Sequence, residues 1–318
     1  MNRVLMFALF MLGTLVVSAA GVSGQGAAGL ASQCVSGGGV SRDWCEEVAI
    51  GAQALRAGVG FAAAAGSDVP GSASTLGTKL AGLPRVSLSL RPSLGRIKGP
   101  RVIGAARSGV DGQSLWVPTV QGSVVVSVMN GFSVVPSVGG IFALDVLGTV
   151  GYVSLPEEFG DNTVTVGVGA RLGILRESFT MPGLSVSVVH RGLGDATYGG
   201  GPTDDAEISF DVSTTSVRAI VGKDLPLIGF FAGVGRDWHR GDISVRAMSA
   251  GGANSTAADS FTDRRTVYFG GTSWSFLILQ ASIEVGWSSG FDDIAGRTGE
   301  FSTSSHPFFA STALRVTL

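Results

Sequence analysis

The sequence predicts an all-β fold: a transmembrane antiparallel up-and-down β-barrel of about twelve strands with a short N-terminal helical plug segment. Three observations carry this reading. Long stretches alternate between apolar residues and small polar ones. Charge is scarce, with Asp, Glu, Lys and Arg making up 14% of the 318 residues against about 25% in ordinary soluble domains. The chain also ends inside an alternating stretch, on the apolar Leu318.

Composition excludes several classes. With 45% apolar residues and a net charge of −2, the chain lacks the high charge and low hydrophobicity of disordered proteins. Glycine is abundant, 49 residues, but shows no period of three, and Pro is only 11, which excludes collagen. The 22 Lys and Arg form no electrostatic footprint for nucleic acid.

From the N-terminus, Arg3 precedes an apolar run, Val4 to Val17, and then the small residues Ser18, Ala19 and Ala20. This is the pattern of a secretory signal peptide over residues 1–20, with the mature chain starting near Gly21 or Gln25. A spanning helix over Val4 to Val22 is the alternative. Cys34 and Cys45 follow closely and, in an oxidising compartment, are expected to pair as a local staple; no further ligands lie near enough for a metal.

Residues 21–83 read as a helical and loop segment. Asp43 and Glu46 form a possible capping box opening a helix through Arg56, small residues dominate Ala62 to Ala65, and Ser72 to Lys79 is a candidate second short helix. Residues 84–318 change to a period of two. In Thr163 to Ile174 the even positions are Val164, Val166, Val168, Ala170, Leu172 and Ile174, and the odd ones are Gly, Thr and Arg171. Arg85–Arg91, Thr119–Val128, Phe142–Tyr152, Leu277–Trp287 and Phe308–Leu318 behave alike, with Val125, Ala143 and Leu147 out of phase. Weaker strands are expected over 101–107, 184–191, 206–223, 230–239, 243–248 and 265–274. Asn130-Gly131, Gly160-Asp161-Asn162, Pro182-Gly183, Arg240-Gly241-Asp242 and Ser288-Ser289-Gly290 read as turns. The polar stretches 192–205, 249–263 and 291–305 read as long loops at one end of the barrel.

A soluble sandwich with its apolar face inside shares this alternation. Length favours the membrane barrel, since several stretches reach the 9–11 residues needed to cross a bilayer rather than the 5–6 common in soluble strands. The polar face favours it too, being Gly, Ser and Thr instead of Lys and Glu. Tyr152, Trp238, Trp274 and Trp287 lie near strand ends, as in aromatic girdles.

The closing stretch Phe308–Leu318 resembles the last strand of bacterial outer-membrane β-barrels. The resemblance implies an outer-membrane location, a lipid bilayer as partner and recognition of this strand by the assembly machinery. The family most often ends in Phe, where this chain has Leu318. Upstream, the Gly/Ala-rich run Gly51–Ala62, then Ala73–Gly77 and Lys79–Pro84, is similar to the N-terminal part of the outer-membrane long-chain fatty-acid transporter family. There such a segment plugs the barrel and hydrophobic substrates pass through it and out laterally. This chain lacks the Asn-Pro-Ala typical of that family. The resemblance implies passive, porin-like transport or binding of a small molecule, a hydrophobic one included; a structural or surface-interaction barrel with a closed lumen is the alternative.

No catalytic, cofactor or metal site is expected. Of the three histidines, His190 shares an apolar phase, His306 precedes Pro307, and His239 lies beside Asp237 and Arg240 in what reads as a turn. Asp237 and His239 are therefore the one acid/base pair a rim hydrolase could use. Asp204-Asp205 and Asp292-Asp293 lack the further oxygens calcium needs. The polar phase supplies candidate lumen residues instead: Arg85, Arg91, Asp145, Arg171, Gln280, Glu284 and Arg315.

Overall fold

The computed structural model describes residues 26–38, 40–78, 83–100, 112–133, 139–201, 204, 206–248, 254–289 and 306–318. Two helices come first, α1 (Gly26–Ser36) and α2 (Arg42–Ala64). Ten strands follow among the described residues: β1 (Val86–Pro100), β2 (Gly112–Met129), β3 (Ala143–Val153), β4 (Thr163–Leu175), β5 (Gly183–Gly199), β6 (Ala206–Asp224), β7 (Ile228–Met248), β8 (Asn254–Phe276), β9 (Leu279–Ser288) and β10 (Phe308–Thr317). Each pairs antiparallel with its neighbour in sequence, and β1 closes the barrel against β10, Ser87 opposite Thr317 and Arg96 opposite Phe308.

The alternation resolves with the apolar phase outside. Val164, Val166 and Val168 are 52%, 60% and 65% exposed while Thr163, Thr165 and Arg171, in the other phase, are buried. Leu90, Val124, Val146, Val234, Ile283 and Leu314 repeat this on other strands, making a contiguous apolar band far larger than a soluble monomer exposes. The inner face carries Ser87, Gln121, Ser123, Asp145, Thr149, Ser187, Arg218 and Glu284, all buried.

Strand length varies systematically. β3, β9 and β10 have 11, 10 and 10 residues, about one bilayer crossing. β1 and β2, with 15 and 18 residues, and β5, β6, β7 and β8, with 17, 19, 21 and 23, overshoot it. Their excess lies at the end opposite the start of β1, because β6 and β7 turn tightly at Leu225–Leu227, and β8 and β9 at Leu277–Ile278, at the other end. The overshoot forms a lobe with an apolar interior of Ile208, Phe210, Ile243, Val245 and Ala257, all buried and packed in one cluster with Leu30 and Ala31 of α1.

The structure corrects the expected count of about twelve strands. Arg240-Gly241-Asp242 is not a turn: it lies inside β7, fusing the two strands expected at 230–239 and 243–248. Gly241 sits there because Asp211 of β6 crowds it, a Cβ falling 2.3 Å from the Asp211 carbonyl oxygen. The strand expected at 101–107 and the loop at 291–305 lie outside the described residues. Two other expected loops are largely strand, since β5 runs to Gly199 and β8 starts at Asn254; their polar outer faces are those of strands that have left the apolar band. Ser72–Thr78 is an irregular strap, not a helix, its polar groups bonding to the wall. Ser41, not Asp43, caps α2, its hydroxyl accepting the Trp44 N–H, and α1 was not anticipated.

Candidate functional site: the plugged lumen

α2 runs down the inside of the barrel and is buried on every side over most of its length. A helix about 10 Å across fits because its lower half is built from Gly and Ala. Gly58 faces Ile97 of β1, Ala62 faces Gly95, and a Cβ at Gly60 would lie 2.7 Å from His239 Nδ1 and 3.2 Å from Thr214 Oγ1. The Cys34–Cys45 disulfide, Cα atoms 5.7 Å apart, ties α2 to α1 in the lobe. α1 is fixed to β8 by the Ser255 hydroxyl donating to the Cys34 carbonyl at 2.6 Å.

Successive contacts trace the descent. Arg56 bonds to Asp263 and to the Gly241 carbonyl at 3.1 Å, and the Ala64 carbonyl accepts from Arg218 at 3.4 Å. Gly66 then turns the chain at φ +90°, a conformation that L side chains rarely adopt, in a space where a Cβ would meet Arg91 and Glu284. The strap continues past Arg171, which donates to the Ser72 carbonyl at 3.4 Å. Its Leu76 N–H donates to Asp145 at 3.0 Å, and its Thr78 bonds to Asn130 beyond the end of β2. Residues 26–78 thus thread the lumen from the lobe to the tight-turn end, where β1 begins.

Five buried charged sets hold this thread. Asp68 accepts from Arg191 at 2.6 Å and from the Ser187 hydroxyl at 2.5 Å. Ser67 is clamped from two strands: its N–H and hydroxyl donate to Glu284 at 2.7 and 2.6 Å, and its carbonyl accepts from Arg91 at 2.6 Å. Arg56 with Asp263 is the third set, joined by Gln53. Two more are wall to wall: Arg171 with Asp145 at 2.9 Å, and Arg218 forked on Asp237 at 2.5 and 2.9 Å. Such pairing offsets the cost of removing these charges from water.

Below the charged belt, Val69 of the strap packs on Val125, Leu147 and Val189, with Leu76 against the cluster. Val125 and Leu147 are apolar residues that broke the alternation; they face inward to receive the strap.

Of the predicted lumen residues, Arg91, Asp145, Arg171, Gln280, Glu284 and Arg315 are buried on the inner face. Arg85 is not: it lies exposed at the rim before β1, reaching the Leu76 carbonyl at 3.3 Å. Sequence reasoning missed Arg56, Asp68, Arg191 and Asp263. Arg191 and Asp263 follow the polar phase of their strands, and Arg56 and Asp68 are lone charges in a Gly/Ala-rich segment. Asp237 and His239 are not at a rim turn but mid-strand and fully buried under Gly60. Asp237 is taken by Arg218, and His239 Nδ1 lies 2.9 Å from the Thr214 hydroxyl. His190 is outside, 2.9 Å from Thr215, and His306 is exposed before β10. Asp204 accepts the Gly201 N–H; Asp205, Asp292 and Asp293 lie outside the described residues. Among the described residues no group of three His, Cys, Asp or Glu could hold a metal ion.

At the tight-turn end Glu177, between β4 and β5, accepts the Asp224 N–H and lies 3.8 Å from Lys223. Burial raises its carboxyl above the ordinary glutamate range, and the neighbouring Asp224 charge acts in the same direction.

No protein-family model and no curated protein matches the chain. Among solved structures it is similar to the outer membrane protease OmpT from Escherichia coli, at 10% identity over 74% of this chain and 96% of that one, TM-score 0.44. It is also similar to the translocator domain of the autotransporter NalP from Neisseria meningitidis, at 13% over 73% and 88%, TM-score 0.40. The toluene transporter TodX from Pseudomonas putida matches at 9% over 79% and 96%, TM-score 0.28.

Proposed function

We propose that the chain is an outer-membrane β-barrel with a sealed lumen, and that it works at the cell surface through the lobe of β5–β8 and α1. The observation that carries this is the thread of residues 26–78, held by buried charges on β1, β4, β5, β8 and β9. The outward apolar band supports residence in a bilayer. Outer-membrane barrels keep short turns on the periplasmic side and longer loops outside, which puts the lobe outside and Leu318 on the periplasmic side. Phe308–Leu318, closing the barrel, is the segment we assign to recognition by the assembly machinery.

Planar-bilayer recording and liposome swelling test the seal. The full chain is expected to insert and conduct nothing. Steady conductance or solute-dependent swelling by the unaltered chain would overturn the closed lumen and establish passage of a small molecule instead. Membrane fractionation with heat-modifiable gel mobility checks the barrel separately.

A further inference from the structure

We infer that a patch on the outer wall, formed by Arg236 and Arg240 of β7 and Arg264 of β8 around Trp238, binds the phosphate of a lipid headgroup in the leaflet at the lobe end. The inference rests on the bilayer reading above. On β7 the outward residues from the tight turn are Phe230, Ala232 and Val234, all exposed, and then the pattern changes to Arg236, Trp238 and Arg240. The distance from Phe230 to Trp238 is close to one tilted crossing of about 9–11 residues. Arg236 thus lies near the edge of that crossing and Arg240 beyond it, where a lipid-facing Arg costs about 0–1 kcal/mol against about 2–4 at mid-bilayer.

Register brings the three together. Trp238 lies opposite Arg264, while Arg236 and Arg240 lie opposite Thr266 and Thr262, the outward positions flanking Arg264 on β8. Arg264 is then the diagonal neighbour of both, about 7–8 Å away. Trp238 continues the row through Thr215 to His190 on β5. Trp238 is half-buried between the exposed guanidinium groups, placing an indole at the depth where aromatic girdles sit.

These arginines are available, unlike others on the outer face. Arg96 lies over the Trp116 ring, 5.9 Å from its centroid, and Arg246 is 3.8 Å from Glu207. Arg236 reaches the Thr266 hydroxyl at 3.2 Å; among the described residues Arg240 and Arg264 have no ion pair or side-chain hydrogen bond. The outward carboxylates nearest Arg240 are Asp211 of β6, diagonal to it, and Asp242, two residues on, and Asp211 holds the Asp242 N–H; Glu207 lies further out, beside Arg246. Arg264, at diagonal spacing from both Arg236 and Arg240, is repelled by each, and an anion between them relieves that repulsion. The guanidinium fork matches phosphate geometry, and its weak hydration suits an interfacial site.

The test uses the full chain in neutral detergent and native mass spectrometry, with phosphatidic acid as probe, phosphatidylcholine of the same chains as reference and inorganic phosphate as competitor. The unaltered chain is expected to retain phosphatidic acid roughly tenfold or more over phosphatidylcholine, as one charge-assisted contact would give. Arg236→Gln with Arg240→Gln and Arg264→Gln should abolish the preference, while Arg246→Gln leaves it. An equal preference in the triple variant overturns the site. Inorganic phosphate binding as tightly as the lipid overturns the headgroup assignment. Flotation with phosphatidylcholine vesicles separates the two readings: failure of the unaltered chain to float strikes the bilayer reading, while flotation without phosphatidic acid preference strikes only this one. Arg264→Gln alone, expected to lose part of the preference, replaces the triple variant if that fails to fold.

Discussion

Asp68→Asn should open the lower half of the plug without unfolding the barrel. Asp68 and Arg191 side chains are 0% and 2% exposed, so solvent screening takes little from their interaction. Asparagine keeps an amide oxygen that can accept from Arg191 but removes the countercharge, leaving the Arg191 guanidinium buried against neutral partners, that oxygen and the Ser216 hydroxyl at 3.5 Å. Breaking one side of such a pair costs about 3–5 kcal/mol. At about 1.4 kcal/mol per factor of ten, the undocked population of the strap rises about 10²–10⁴-fold. The Ser67 clamp and the Arg56–Asp263 pair are untouched, so opening should be confined to the strap below them.

Hydrogen exchange followed by mass spectrometry reads this directly: peptides over residues 69–78 should lose protection while those over α2, Ser67 and the strands keep it. In planar bilayers the variant should flicker where the unaltered chain is silent. Replacing both partners, Asp68→Leu with Arg191→Met, removes the charge imbalance and should restore most of the protection, because well-packed apolar substitutes for a buried ion pair are often neutral or better. Unchanged strap exchange in Asp68→Asn, or a double variant as open as the single one, would refute the idea that buried charge pins the thread.

Other outcomes follow from the same geometry. Gly60→Val drives methyl groups into His239 and Thr214 and should cost about 1–3 kcal/mol as overpacking, read as weaker resistance of the heat-modifiable band to denaturation. An epitope inserted at Gly38, beside the exposed end of α1, should be reached by antibody on intact cells; labelling only after envelope disruption would reverse the orientation. Cys34→Ser with Cys45→Ser removes a closure worth about 3 kcal/mol for so short a loop, and should raise protease cleavage of α1 while the strands stay resistant. Burial makes Glu177 bind its proton more tightly in the folded protein than in the unfolded chain, so folding stability falls as pH rises above the ordinary glutamate value of about 4.3, while ionisation strengthens the bond from the Asp224 N–H. Exchange of the Asp224 amide should therefore show more pH dependence in the native chain than in Glu177→Gln across about pH 4 to 7.

The wall was legible in the sequence because a strand with an apolar outer face and a polar inner one has only two environments, and a period of two reports both. Thr163 to Ile174 announces its inner and outer faces residue by residue. The strand count was less legible for the same reason. Once the outer face of β7 turns polar at Arg236, it runs on through Arg240, Asp242 and Ser244, and a polar stretch containing Gly241 reads as a turn although the ladder with β8 continues unbroken from Ile228 to Met248. Loop chemistry and solvated strand chemistry coincide there.

The seal was hidden differently, because it depends on pairs of residues more than a hundred positions apart, such as Asp68 with Arg191 and Arg56 with Asp263, which no local pattern connects. Yet the sequence carries its trace. Val125 and Leu147 break an otherwise polar inner phase, and an apolar side chain facing a water-filled pore gains nothing from being there. Facing Val69, it is buried. Exceptions to the alternation in such a barrel therefore mark where something solid lies against the inside of the wall, and here Val125 and Leu147 point to the strap that carries Val69.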